Sequence, residues 1–175
     1  MGFGSSIITG IVSGIIASVC FALFLLLVKP KVKISDQICV ENEGEKDAVY
    51  RIKIVNCTFA MLTNLRYVLA YCEMHGDGIN TIIEIAPRKS HLISIDRFNL
   101  KKDNTDYAVR ISYDIDTSKY PLNDKHKLEF TFIADHSLSN TTTCIRKEYF
   151  AKDIVAGVFE SDKSVKIIRK HKCDF

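Results

Sequence analysis

From Ile7 to Val28 the chain reads IITGIVSGIIASVCFALFLLLV, 22 residues without a charge. As a helix rising about 1.5 Å per residue, the run covers about 33 Å, roughly the hydrocarbon core of a bilayer. It is apolar on every face, whereas a helix packed on one side of a soluble domain keeps a polar face. The sequence therefore predicts a transmembrane helix over 7–28. A cleaved secretory signal is the competing reading, and its parts are missing. Met1 to Ser6 holds no Lys or Arg, and Lys29, Pro30 and Lys31 stand where a small-residue cleavage site belongs. Lys29, Lys31 and Lys33 crowd the C-terminal end of the run, and positive flanks stay in the cytoplasm. The expected organisation is a short outer tail over 1–6, the span over 7–28, a basic linker over 29–33 at the lipid head groups, and one cytoplasmic β-domain over 34–175.

Within the span, Ser6, Gly10, Gly14, Ser18 and Ala22 recur every four residues and so form one strip of small side chains on a helix face. Small residues at this spacing let helix backbones approach closely in a membrane, which predicts a homo-oligomer formed through the span.

The net charge of +3 is unevenly placed. Residues 34 to 162 carry 16 Lys and Arg against 20 Asp and Glu, a net of −4, so the excess lies beside the span and in the tail. A nucleic acid polymer is not an expected partner for such a body; the basic ends suit anionic lipid. Of six cysteines, Cys20 lies in the span, and the other five are odd in number and irregularly spaced. That pattern predicts free buried thiols rather than a disulfide framework. Two Asn-x-Thr triplets, at Asn56 and Asn140, match the glycosylation pattern, which would matter only in an exported eukaryotic domain.

Beyond the lysines, hydrophobicity alternates with period two. Candidate strands are Val32 to Val40, a half-buried strand at Tyr50 to Ile54, a central strand at Leu65 to Met74, Ile79 to Ala86, His91 to Phe98, Tyr107 to Asp116, Leu128 to Ala134, Cys144 to Phe150 and Val165 to Ile168. His75 to Gly78 is a turn signal joining two of them as a hairpin. Only Tyr149 to Phe159 admits a short helix. Eight or nine short strands predict an all-β domain, an antiparallel immunoglobulin-like β-sandwich or a small β-barrel, behind the single helix.

No catalytic constellation is present. The five histidines fall at turns, strand starts and the tail, and none has a metal-ligand spacing. Cys72 with His75 lacks further ligands. Asp114, Asp116 and Asp124 lack the glycine and terminal glutamate of a calcium loop. Asp135, His136 and Ser137 read as solvated loop residues rather than a triad. The expectation is a non-enzyme with no metal and no cofactor. The candidate contacts for a phosphate-bearing ligand or anionic lipid are the tail cations Lys163, Lys166, Arg169, Lys170 and Lys172. Arg51, Lys53, Arg66 and Arg110 are strand-borne cations that would line a pocket if the fold brings them together.

In layout, rather than in any motif, the chain resembles small bacterial membrane proteins in which one N-terminal span carries a cytosolic β-domain. Some of these are anti-phage defence effectors. The resemblance implies an inner-membrane protein whose β-domain senses a cyclic nucleotide and couples it to clustering of the span, to disrupt the membrane. The alternative expectation is an accessory or scaffold subunit docking a protein partner in a larger membrane complex.

Overall fold

The computed structural model describes residues 3–27, 30–41, 48–75, 80–89, 92–99, 106–123, 125–161 and 163–168. The expected turn over 76–78, Asp124 and the tail beyond Ile168 lie outside them.

Helix α1 spans Phe3–Leu27, and its stretch Ile7–Phe24 is long and apolar enough to cross a membrane, with no residue of it buried. Pro30, with no N–H to donate, stands just beyond its end. The polar atoms on the helix are satisfied locally. Ser13 Oγ donates to the Gly10 carbonyl at 3.0 Å and Ser18 Oγ to the Gly14 carbonyl at 2.8 Å, the back-bonding that helical serines commonly make.

The strands follow as β1 (Val32–Ile34), β2 (Ile38–Glu41), β3 (Val49–Asn56), β4 (Leu62–Met74), β5 (Asn80–Ile85), β6 (Ser94–Ile95), β7 (Ala108–Tyr113), β8 (His126–His136), β9 (Thr142–Tyr149), β10 (Ile154–Ala156), β11 (Val158–Phe159) and β12 (Ile167–Ile168). One sheet has β3 at its centre, with β7 on one edge and β1 and β2 on the other, and β10 beyond β2. The second has β4 and β8 at its centre, β9 outside β8, and β5 and β6 sharing the far edge of β4. β11 and β12 form a separate antiparallel ribbon.

The sheets meet at two corners and curve into a half-barrel. At one, the chain leaving β5 crosses over: Pro87 bridges to Tyr113 and Arg88 N donates to the Ser112 carbonyl. At the other, the chain leaves β9 through a single 3-10 turn, Ala151–Asp153, and enters β10 alongside β2. This turn is all that forms of the short helix expected over 149–159. β10 pairs with β2 in parallel, a departure from the expected antiparallel pattern; arriving from the other sheet, it runs in the direction of β2.

Two expected strands change shape. The run Val32 to Val40 breaks into β1 and β2 because residues 35–37 bulge away from β3: Ile34 pairs with Ile54, and Cys39 with Arg51. The bulge has a function in packing. Ser35, fully buried, exchanges hydrogen bonds with Lys53 and accepts the Tyr149 hydroxyl at 2.7 Å on its carbonyl, tying the first sheet to β9 of the second. β3 is buried on both faces, not one. Tyr50, Ile52 and Ile54 enter the core; on the outer face Val55 is also buried, and Lys53 lies under the C-terminal segment, bonded to its Glu160 and Ser164 carbonyls.

One core fills the space between the sheets, built from Ile52, Ile54, Ile111 and Tyr113 on one side and Leu69, Tyr71, Leu128, Phe130, Phe132 and Tyr149 on the other. β8 alternates buried and half-exposed along its whole length. Each large side chain it buries contributes about 1.5–3 kcal/mol. Cys39 and Cys72 are buried, and burial pushes both thiols above their ordinary pKa; Cys57 is half-buried and Cys144 exposed, so burial of all the domain's cysteines is not observed.

Candidate functional site

The local structure that builds the site begins at Asn56, the last residue of β3. Its side chain is fully buried and uses its whole hydrogen-bonding capacity. Nδ2 donates to the Ala60 carbonyl at 2.8 Å and the Asp96 carbonyl at 2.9 Å, while Oδ1 accepts from Thr58 N at 2.9 Å and Thr58 Oγ1 at 2.6 Å. The Asn-x-Thr triplet is thus a turn device, and a glycan on Asn56 is incompatible with this packing.

The turn fixes loop 57–61 against the start of the domain. Cys57 N donates to the Lys31 carbonyl at 2.8 Å, and Phe98 N to the Thr58 carbonyl at 2.7 Å. Here Lys33, Cys57, Phe98, Lys163 and Ser164 line a half-open pocket of about 450 Å³. The Lys163 ammonium stands 5.9 Å from the centre of the Phe98 ring, a cation–π distance. Two lysines, a serine and an aromatic residue make a lining suited to an anion carried on a larger body.

The pocket unites two groups of cations that the sequence keeps apart, the linker through Lys33 and the tail through Lys163. Lys31 is exposed beside it and lends its carbonyl to Cys57. Lys166 is exposed on the C-terminal segment; its carbonyl accepts from Glu160 N. Lys29, Arg169, Lys170 and Lys172 lie outside the described residues. On α1, side chains are described from Ile7 to Phe24, which leaves out that of Ser6; Gly10, Gly14, Ser18 and Ala22 are all exposed. A methyl group added at Gly10 or Gly14 would meet nothing within 4 Å.

Of the strand-borne cations, three share the outer face of the first sheet. They are engaged in structure. Arg51 pairs with Glu41 at 2.6 Å, Arg110 Nη2 donates to the Phe159 carbonyl at 3.3 Å, and the Lys53 ammonium, 1% exposed, donates to the carbonyls of Glu160 and Ser164 at 2.6 Å each. Arg110 and Lys53 together clamp the C-terminal segment across the sheet at Phe159, Glu160 and Ser164, while Arg51 bonds within the sheet to β2. Cys39 Sγ adds a bond to the Gly157 carbonyl at 3.0 Å. Arg66 lies apart, on the second sheet, lining a pocket of about 390 Å³ with Asn64, Asp135 and Thr142.

No known protein family model matches this chain, and no curated protein matches its sequence. The geometry must therefore speak for itself.

The other sequence candidates do not assemble into a reactive site. Among the described residues no three His, Cys, Asp or Glu side chains are grouped to hold a metal. Asp116 caps Ser118, whose N–H and hydroxyl hold its carboxyl below the usual range, and Asp114 pairs with Arg88. Cys72 is buried in β4, while His75 Nε2 bonds Thr81 at 3.0 Å. Strand alternation sends Asp135 and His136 to opposite faces. Asp135 accepts from Thr142 and Asn64, which keep its carboxyl low, and holds the bulge where Asn64 takes φ 51°. His136 is buried with Nδ1 on Ser139; its Nε2 has no hydrogen-bond partner, and burial lowers its pKa.

The pocket itself went unforeseen because nothing in sequence spacing links Lys33 to Lys163. The nearest signal was the charge asymmetry, with cations gathered at both ends of an acidic body.

Proposed function

We propose that this protein is a single-pass membrane protein whose β-domain is a non-enzymatic receptor for a phosphate-bearing ligand, bound between Lys33 and Lys163, and that occupancy is coupled to self-association of α1. One observation carries the reading: cations from the linker and from the tail face one pocket at the end of the domain where the chain arrives from the helix. A ligand there bridges the segment leading to the span and the C-terminal segment clamped by Lys53, so binding reaches the anchor directly. The bare Gly10 and Gly14 face of α1 supports the coupling. Under this reading the domain lies in the cytoplasm of a bacterial inner membrane, on the side the three linker lysines favour.

The phosphate can belong to a soluble cyclic nucleotide or to a lipid head group. Full-length protein in zwitterionic micelles, melted with and without cyclic dinucleotides, tests the first; addition of phosphatidylglycerol tests the second. Saturation a hundredfold above Kd contributes about 2.7 kcal/mol, a readily measured rise in Tm. Lys33→Glu and Lys163→Glu should each abolish the rise. No stabilisation by either compound, or stabilisation that survives both variants, rejects the site. Gly10→Leu with Gly14→Leu should leave the melt unchanged and abolish ligand-dependent crosslinking of α1.

A further inference from the structure

The same end of the domain carries an apolar surface that the core does not use. In loop 57–61, Phe59 is 82% exposed and Met61 is 38% exposed; in the turn after β8, Leu138 is 56% exposed. These two segments are neighbours. Leu62 pairs with His136, and Ser137 N donates to the Met61 carbonyl at 3.0 Å, so the antiparallel register carries 59–61 alongside 137–139. The loop holds its shape through Asn56, and the turn through Asn140 N donating to the His136 carbonyl at 2.8 Å.

We infer that this end of the β-domain rests on the membrane that carries α1, with Phe59 and Leu138 seated among the lipid head groups. Its position in the chain is what selects a bilayer over another partner. Cys57 is hydrogen-bonded to Lys31, and the residues between Leu27 and Val32 span no more than about 18 Å when fully extended. Loop 57–61 therefore begins within about 20 Å of the last turn of α1. Charge agrees with placement: Lys31, exposed, bonds through its carbonyl to Cys57 at the start of the loop, and Lys33 and Lys163 line a pocket with Cys57, so three cations lie at the loop's Cys57 end, where anionic head groups attract them. Exposed aromatic and aliphatic side chains on a loop that begins beside lysines make an interfacial contact of the kind amphipathic segments make. Resting there, the Lys33 and Lys163 pocket opens at head-group level. The distal end of the same sheet, where β5 returns beside β4, is held away from the lipid: Ile82, 65% exposed, pairs with Cys72 far along the strand from Leu62.

The inference rests on α1 being a membrane anchor, and the experiment separates the two. The chain contains no tryptophan, so single replacements in the full-length protein report one position each. Phe59→Trp, Leu138→Trp, Ile82→Trp and Phe21→Trp are reconstituted in phosphatidylcholine and phosphatidylglycerol vesicles, with lipids brominated near the carbonyl end or deep in the acyl chain. Phe59→Trp and Leu138→Trp are expected to show blue-shifted emission, quenching by the shallow bromine and protection from iodide. Ile82→Trp should stay solvent-quenched, and Phe21→Trp should be quenched by the deep bromine. Quenching of Phe21→Trp without that of Phe59→Trp and Leu138→Trp overturns the docked surface and leaves the anchor intact. Quenching of Ile82→Trp equal to that of Phe59→Trp also overturns it, since the contact would then have no face. If Phe21→Trp is not quenched, the anchor reading falls, and this inference with it.

Discussion

Removing the Asn56 side chain tests how the loop beside the candidate site is held. Asn56→Ala deletes four hydrogen bonds, two donated to the Ala60 and Asp96 carbonyls and two accepted from Thr58, at a position with no solvent exposure. At about 1 kcal/mol net for each bond the loss is about 4 kcal/mol; water reaching the loop carbonyls reduces it toward about 3 kcal/mol. For a domain of this size that lowers Tm by about 10 °C. The assay is thermal melting of the full-length protein in detergent, followed by circular dichroism at a β wavelength. Thr58→Val is the internal control. Its hydroxyl donates to Asn56 Oδ1 and also lies 3.0 Å from the Ala60 carbonyl, so its loss should cost about 1 kcal/mol in the native background and less once Asn56 is Ala, where only the Ala60 carbonyl remains to accept it. An Asn56→Ala loss under about 1 kcal/mol, or a Thr58→Val cost that is the same in both backgrounds, would refute the assignment of the turn to this side chain.

Gly157 has φ 158°, and a Cβ there would lie 2.6 Å from the Ile168 carbonyl oxygen and 2.7 Å from Ile167 Cγ2. Gly157→Ala should cost about 1–3 kcal/mol in strain and part β12 from β11, read as faster proteolysis within 158–168 while the sheets persist; wild-type protection in the variant would contradict this. His136 gives a pH dependence. Because burial depresses its folded-state pKa, the unfolded chain takes up a proton first as pH falls through about 6.5, so stability is complete above that value and declines below it until the folded pKa is reached. Tm measured between pH 7.5 and 5 should show the decline, and His136→Asn, which cannot titrate, should lower Tm at neutral pH but flatten the slope; an unchanged slope would show that another group is responsible.

The N-terminal apolar helix and the β-character of the rest were legible in one dimension because each depends on local sequence alone. An uncharged run of 22 residues is long and apolar enough to cross a membrane wherever the remaining chain goes. Alternation in β8, at Leu128, Phe130, Phe132 and Ala134, declares a buried face whatever that face packs on. The β4–β5 hairpin was likewise readable from the turn residues between two apolar runs.

What the sequence left undetermined required contacts between distant segments. Arg51 and Lys53 alternate with isoleucines and read as a wet strand face. At Lys53 the face is dry because the C-terminal segment lies across it, and Lys53 can be buried there because the Glu160 and Ser164 carbonyls of that segment satisfy its ammonium. The break between β1 and β2 depends on Ser35 meeting both Lys53 and Tyr149, and the parallel pairing of β10 depends on the chain changing sheets. In sequence Asn56 stands out only as part of an Asn-x-Thr triplet, yet its partners at Ala60 and Asp96 make it a buried clasp. Composition and periodicity determined the kind of elements and, in strands such as β8, which face is buried, since those follow from side chains a few residues apart. The convergence of Lys33 with Lys163, and of Phe59 with Leu138, was decided only by tertiary structure, because strand pairing sets neighbours by register across the sheet rather than by distance along the chain.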